Sequence, residues 1–213
     1  WDERIADLGA SLMHWRAITL HEMEDITSGI HNELTRSDER LRLEYMPSFN
    51  PADSPKGQLG LPIQAILDWR SISRETIHTG LLKTLIDSRR VEIRRGMTLL
   101  GPHRDDIQIS VNNINLHLYG SRGQNRTAML ATKLGEVEWL RQRTGEWPIL
   151  LLDEVLAELD PNRREDLLTR LGSSHQALLT AADLMMFNEE FQKAATIWHI
   201  HAGTIHPSKL DPE

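Results

Sequence analysis

Apolar side chains recur at threes, fours and sevens through Ile5, Leu8, Leu12, Trp15, Thr19, Ile26 and Ile30, with charged residues between them. This spacing predicts one long helix over 3–36. The stretch holds Gly9 and Gly29 but no Pro, and a helix of that length packs on a partner rather than standing alone. Leu41–Met46 alternates apolar with polar and reads as a strand. Residues 47–62, rich in Pro, Gly and Ser, read as a loop. Helical spacing returns over Ile63–Arg70 and again over Ser73–Arg90, the second with Ile77, Leu81, Leu82, Leu85 and Ile86 on one face. Met97–Leu100 reads as a short strand. Ile107–Val111 alternates, Asn112-Asn113 is a turn pair, and Ile114–Tyr119 alternates again, which predicts a β-hairpin. Gln124–Thr144 and Asn162–Leu171 read as helices, and Ala177–Thr180 and Thr196–His201 as strands.

The most informative run is Trp147-Pro148-Ile149-Leu150-Leu151-Leu152-Asp153-Glu154. A continuous apolar stretch is the mark of a buried parallel strand, and this one ends in two adjacent carboxylates. At such a position one carboxylate can hold Mg²⁺ through water while the next orients an attacking water for phosphoryl transfer. Upstream, Gly120-Ser121-Arg122-Gly123-Gln124 precedes a helix, where small residues allow close backbone approach and free N–H groups favour an anion. The same run also suits a plain glycine turn with a serine cap. Downstream, Leu159-Asp160-Pro161 signals a helix start. The order strand, helix, strand from Ile149 onward predicts a parallel sheet with helical crossovers. The fold class is therefore α/β, with residues 1–95 a mainly helical lobe and 96–213 the lobe that carries the motifs.

Taken in order, these three motifs resemble the signature, Walker B and D-loop of ABC-type ATPases. With Gly101-Pro102-His103-Arg104-Asp105-Asp106 ahead of them and Leu43-Glu44-Tyr45-Met46-Pro47 near the start, the chain is similar to the RecF family of DNA replication and repair proteins. The resemblance implies part of an ABC-type ATPase head, with the first helix as the returning limb of an inserted helical arm. It also implies roles for single residues. Asp153 would hold Mg²⁺ through water, and Glu154 would polarise the attacking water. Ser121, Gly123 and Gln124 would touch the γ-phosphate of ATP bound on a second subunit, with Asp160 in the dimer seam. The implied protein is an ATP-dependent homodimer with slow hydrolysis. It binds single-stranded and junction DNA, loads recombinase with the mediators RecO and RecR, and is cytoplasmic.

Two departures stand out. Arg122 brings a charge into the signature turn. The strand after Walker B ends Thr180-Ala181-Ala182-Asp183 without the His that ABC-type heads carry there, so a γ-phosphate switch at this point is in doubt.

The phosphate-cradling pattern G-x-x-x-x-G-K-[ST] occurs nowhere in the 213 residues. Without it the chain alone is expected to bind ATP poorly and to be inactive. It opens at Trp1 inside a helical pattern, which suggests the C-terminal part of a longer protein. There is no Cys, so no disulfide framework, and no apolar run nears the roughly 18 residues of a membrane span. A net charge of −7 confines any DNA contact to a local patch. The best candidates are Arg89, Arg90, Arg94 and Arg95. His175 reads as structural. Two other classes are open: a transporter-type ABC subunit, which the long first helix does not suit, and a non-enzymatic dimerisation or interaction domain.

Overall fold

The computed structural model describes residues 1–50, 68–172 and 176–207. Most of the expected loop over 47–62, residues 63–67 of the expected helix over 63–70, and His175 lie outside them. Trp69 and Arg70 form a turn.

The first helix, α1 (Asp2–Thr35), runs within one residue of its expected bounds at each end. It stops where Arg36 turns left-handed (φ 51°) and the N–H of Ser37 bonds back to the Asn32 carbonyl, a Schellman-type ending. Its buried face is not the one the spacing suggested. Small and flexible residues are inside: Ala6, Gly9, Ala10, Met13 and Ala17. Leu8, Leu12 and Trp15 are exposed, Trp15 by 62%. The reason is close approach: a Cβ at Gly9 would meet Leu81 at 2.9 Å, so the neighbour can lie against the helix only on its small-residue side.

That neighbour is α2 (Arg74–Arg95), capped at its start by Ser73 and ended by Gly96 at φ 64°. Strand β1 (Leu41–Met46) alternates buried and exposed as expected. It pairs antiparallel with β2 (Asp106–Val111), and α1 covers its other edge through Ser28 and Glu24, which accept the N–H groups of Leu41 and Leu43. Asn112 and Asn113, both at positive φ, turn the chain into β3, the pairing expected of a two-residue hairpin. The second arm is short. Strand β3 is only Ile114–Asn115, because the Asn115 carboxamide accepts the N–H groups of His117 and Leu118 and starts helix α3 (Leu116–Tyr119). The expected strand over 97–100 is absent too. There the N–H of Leu99 goes to Glu92 and the carbonyl of Thr98 to Arg104, so side chains take the place of a ladder.

Helix α4 (Arg122–Thr144) crosses α1 so closely that a Cβ at Gly135 would overlap Thr27 Oγ1. Trp139 and Arg143 of α4 both donate to Glu22 of α1, and these bonds hold the Glu22 carboxyl below the usual range. Then follow β4 (Leu150–Asp153), a single 3₁₀ turn, α5 (Pro161–Gly172) and β5 (Ala177–Thr180), with β4 and β5 parallel as expected. A second 3₁₀ turn, α6 (Glu189–Ala194), and a hairpin of β6 (Trp198–His201) and β7 (Thr204–Pro207) close the described chain. The fold is a mixed α/β arrangement in which α1 contributes to both hydrophobic clusters. Its first two thirds pack with β1 and α2. Ile30 and Leu34 join α4, β4 and α5.

Candidate functional site

Strand β4 buries Leu150 and Leu152 toward α4 and α5 and delivers Asp153 and Glu154 to the surface at its C-terminal end. Parallel register sets Asp153 beside Thr180. The Thr180 hydroxyl donates to Asp153 Oδ1 at 2.5 Å and accepts the Glu154 N–H at 3.0 Å. Glu154 stands at φ 51°, ψ 15°, a left-handed conformation that costs an ordinary residue about 1–2 kcal/mol. A sharp turn thus lifts the second carboxylate out of the strand. The acidic pair is exposed and held locally, not absorbed into the core.

The Ser121 turn has two jobs in its sequence, and the structure separates them. Ser121 Oγ accepts the Gln124 N–H at 3.2 Å, and Gln124 Oε1 accepts the Ser121 N–H at 2.9 Å. This is a capping box. As the first N–H groups of the helix, those of Arg122 and Gly123 have no intrahelical acceptor. A Cβ on Gly123 would meet nothing within 4 Å, so packing inside this chain gives no reason for glycine there. By contrast, a Cβ at Gly120 would lie 2.5 Å from the Leu116 carbonyl oxygen, so Gly120 is required by the local turn. An open glycine and two N–H groups with no intrahelical acceptor form an anion-favouring surface at a helix start.

Asp160 caps α5. Its carboxylate accepts the Arg163 N–H at 3.0 Å and pairs with Arg163 Nε at 3.3 Å. Arg163 also lines a cleft of about 250 Å³ with Gln124, Thr127, His31 and Thr35. The cleft therefore joins the Ser121 helix, the Asp160 turn and the C-terminal end of α1. His31 was not singled out from the sequence. It is 1% exposed, its Nδ1 has no partner among the described residues, and burial pushes its pKa down. Nothing in the helical spacing separates such a histidine from a surface one.

The four candidate arginines, Arg89, Arg90, Arg94 and Arg95, are exposed at the C-terminal end of α2. Arg89 pairs with Asp2 of α1. Arg94 and Arg95 sit in the last turn, where positive charge suits the helix dipole.

The Gly101–Asp106 turn is built inward. Asp105, with its side chain 1% exposed, accepts from the Tyr45 hydroxyl and from the Ser48 N–H, and pairs with Arg16 at 3.6 Å. Ser48 bonds both the N–H and the carbonyl of Gly101. Burial and the neighbouring carboxylate push the Tyr45 phenol strongly up. This motif reads as an anchor among strand, loop and helix.

Among the described residues no group of three or more His, Asp or Glu is placed to hold a metal, and no helix is long and apolar enough to cross a membrane.

No protein-family model matches the chain. Individual relatives do. It is 33% identical over 208 residues to the DNA replication and repair protein RecF of Limosilactobacillus reuteri (strain DSM 20016), 98% of this chain and 51% of that protein. To the protein of that name from Chloroflexus aurantiacus it is 37% identical over 206 residues, 96% of this chain and 48% of the relative. The fold is shared with solved structures of the recombination mediator protein RecF in the RecFOR pathway. For RecF-ATPrS the TM-score is 0.72 at 28% identity, covering 97% of this chain and 49% of that one. For RecF-ATP it is 0.69 at 28% identity, covering 97% and 48%. The chain spans about half the length of the curated relatives it matches.

Proposed function

Because this chain is a homologue of RecF proteins along nearly all of its length, we propose that it supplies the hydrolytic and partner-facing half of an ATP-dependent DNA replication and repair protein. The observation that carries this reading is the exposed Asp153–Glu154 turn at the end of a parallel strand. Open α/β sheets place their ligands at such ends.

In the proposed protein, Asp153 holds Mg²⁺ through water and Glu154 orients the attacking water. One exposed carboxylate beside a threonine hydroxyl fits Mg²⁺, which is commonly bound by one or two carboxylates together with substrate phosphates rather than by a protein cage. Ser121, Gly123 and Gln124 face the γ-phosphate of ATP held by a second copy, and Asp160 lies at the seam between copies. ATP then joins two heads into a homodimer, and slow hydrolysis releases them. The phosphate-cradling loop comes from elsewhere in the complete protein, so residues 1–213 by themselves turn over no ATP. The exposed Arg90, Arg94 and Arg95, with Arg89 beside them, are the proposed contact to single-stranded and junction DNA. RecO and RecR are the proposed mediator partners in recombinase loading, and the compartment is the cytoplasm. The proposed division of labour keeps residues 1–95 as the arm side and 96–213 as the head side.

The test is Glu154→Gln in the complete protein. Turnover is expected to fall at least roughly 100-fold while ATP-bound dimers persist. Unchanged turnover removes Glu154 from the mechanism, whereas a complete parent protein that binds but does not hydrolyse ATP favours a non-enzymatic dimerisation domain.

A further inference from the structure

Thr180 ends β5, and its position is fixed by register. Leu150 lies beside Ala177, Leu151 beside Leu178 and Leu152 beside Leu179, so Asp153 lies beside Thr180. A threonine at a strand end has an ordinary explanation, since β-branched residues suit strands. Its hydroxyl would then face water. Here both hydrogen-bonding functions of that hydroxyl are used, and both go to the acidic pair. Its proton goes to Asp153 Oδ1 at 2.5 Å, and a lone pair receives the Glu154 N–H at 3.0 Å.

The two bonds act on different degrees of freedom. The first engages Oδ1 of Asp153 and restrains the rotation of this exposed carboxylate. The second ties the backbone of Glu154 where it turns left-handed. A strained turn of this kind persists only where its surroundings hold it. Without the hydroxyl, Asp153 is free to rotate and the Glu154 turn can relax toward extended backbone.

We propose that Thr180 is a positioning residue: one hydroxyl that sets the orientation of the Asp153 carboxylate and the turn that presents Glu154. This rests on the proposed roles of Asp153 and Glu154, and it assigns Thr180 no contact with nucleotide.

The test compares Thr180→Val, nearly isosteric but without the hydroxyl, with Thr180→Ser, which restores it. Both are made in the complete protein, with Glu154→Gln measured alongside. For T180V, kcat is expected to fall roughly 10- to 100-fold, the range typical for loss of a group that orients a metal-binding carboxylate. The Mg²⁺ concentration for half-maximal turnover should rise by a similar factor, and ATP affinity at saturating Mg²⁺ should change less than about threefold. T180S should recover most of the loss. A residue that served only to fill space would leave the Mg²⁺ dependence unmoved. The proposal is overturned if T180V turns over within about twofold of the parent, or if T180S falls as far as T180V. Should T180V not fold, T180A carries the same comparison with T180S. If E154Q loses turnover and T180V does not, only the role of Thr180 fails. If E154Q turns over normally, the assignment of the acidic pair fails and the role of Thr180 goes with it.

Discussion

Two acidic turns in this chain, at Asp105-Asp106 and at Asp153-Glu154, are built in opposite ways. Asp105 is enclosed by its own chain: the Tyr45 hydroxyl and the Ser48 N–H from one segment and Arg16 from α1 converge on it. Among the described residues Asp153 and Glu154 take their side-chain hydrogen bonds from Thr180, and both residues are exposed. A carboxylate that is fully paired inside the fold is available for little except holding segments together. An exposed pair in which one hydroxyl holds the Asp153 carboxylate and the Glu154 backbone can still take a ligand. The same contrast recurs between two glycines of α4. Gly135 is pressed against Thr27, whereas Gly123 has open space where a side chain would be.

The largest expected effect on stability comes from the closed member of the first pair. Asp105→Ala removes the acceptor of the Tyr45 hydroxyl and of the part-buried Ser48 N–H and the carboxylate beside Arg16, and should destabilise the chain by about 3 kcal/mol, read as a shift in the urea midpoint. Asp153→Asn, in the open turn, should move that midpoint by less than about 0.5 kcal/mol. A large loss for Asp153→Asn, or none for Asp105→Ala, would break the contrast between the two turns.

The glycines sharpen it. Gly135→Ala drives a methyl into Thr27 where two helices cross and should cost about 1–3 kcal/mol. Gly123→Ala should leave stability unchanged or raise it by up to about 1 kcal/mol through helix propensity. In the complete protein, G123A should nonetheless impair ATP-dependent dimerisation, measured by sedimentation with and without ATP. Normal dimerisation would show that no ligand approaches that face.

A smaller effect should follow pH. Burial lowers the pKa of His31, opposed by Glu39 and reinforced by Arg163. Since the folded state disfavours the charged imidazole, this contribution to stability is present above the unfolded value near 6.5 and is lost as pH falls below it. Urea midpoints between pH 7.5 and 5.5 should decline more for the parent than for His31→Gln. Equal slopes would show that the cleft admits enough water to solvate the ring.

The smallest effect concerns the α2 arginines. Replacing Arg90, Arg94 and Arg95 with Gln should lower DNA affinity equally across sequences and reduce the salt slope by up to roughly one for each phosphate no longer neutralised. An unaltered slope removes this patch. Stability should barely change, because the side chains are exposed.

Much of this was readable from residue order, because the signals are local. The long first helix, the alternation of Leu41, Leu43 and Tyr45 and the Asn112-Asn113 turn each depend on neighbours along the chain, and each forms as expected; the apolar run into Asp153 forms its strand but is buried only on one face, with Leu150 and Leu152 inside and Ile149 and Leu151 exposed. Asn115 marks the limit of that reading. Its side chain could continue a strand or cap a helix, and it caps α3. Which face of α1 would be buried was not readable either. Both faces carry apolar residues, and only the approach of α2 and α4 selects the one whose small residues admit them.

Sequence alone therefore determined where the acidic pair, the Ser121 turn and the Asp160 turn lie along the chain, and that strand ends and helix starts carry them. Tertiary structure decided that Asp105 is shut in while Asp153 is open, that Thr180 serves both members of the acidic pair, and that His31 is buried beside Gln124. These outcomes come from contacts between segments far apart in the chain. Hydrophobic periodicity says which residues prefer to be inside, but it carries no information about which distant partner will meet them there.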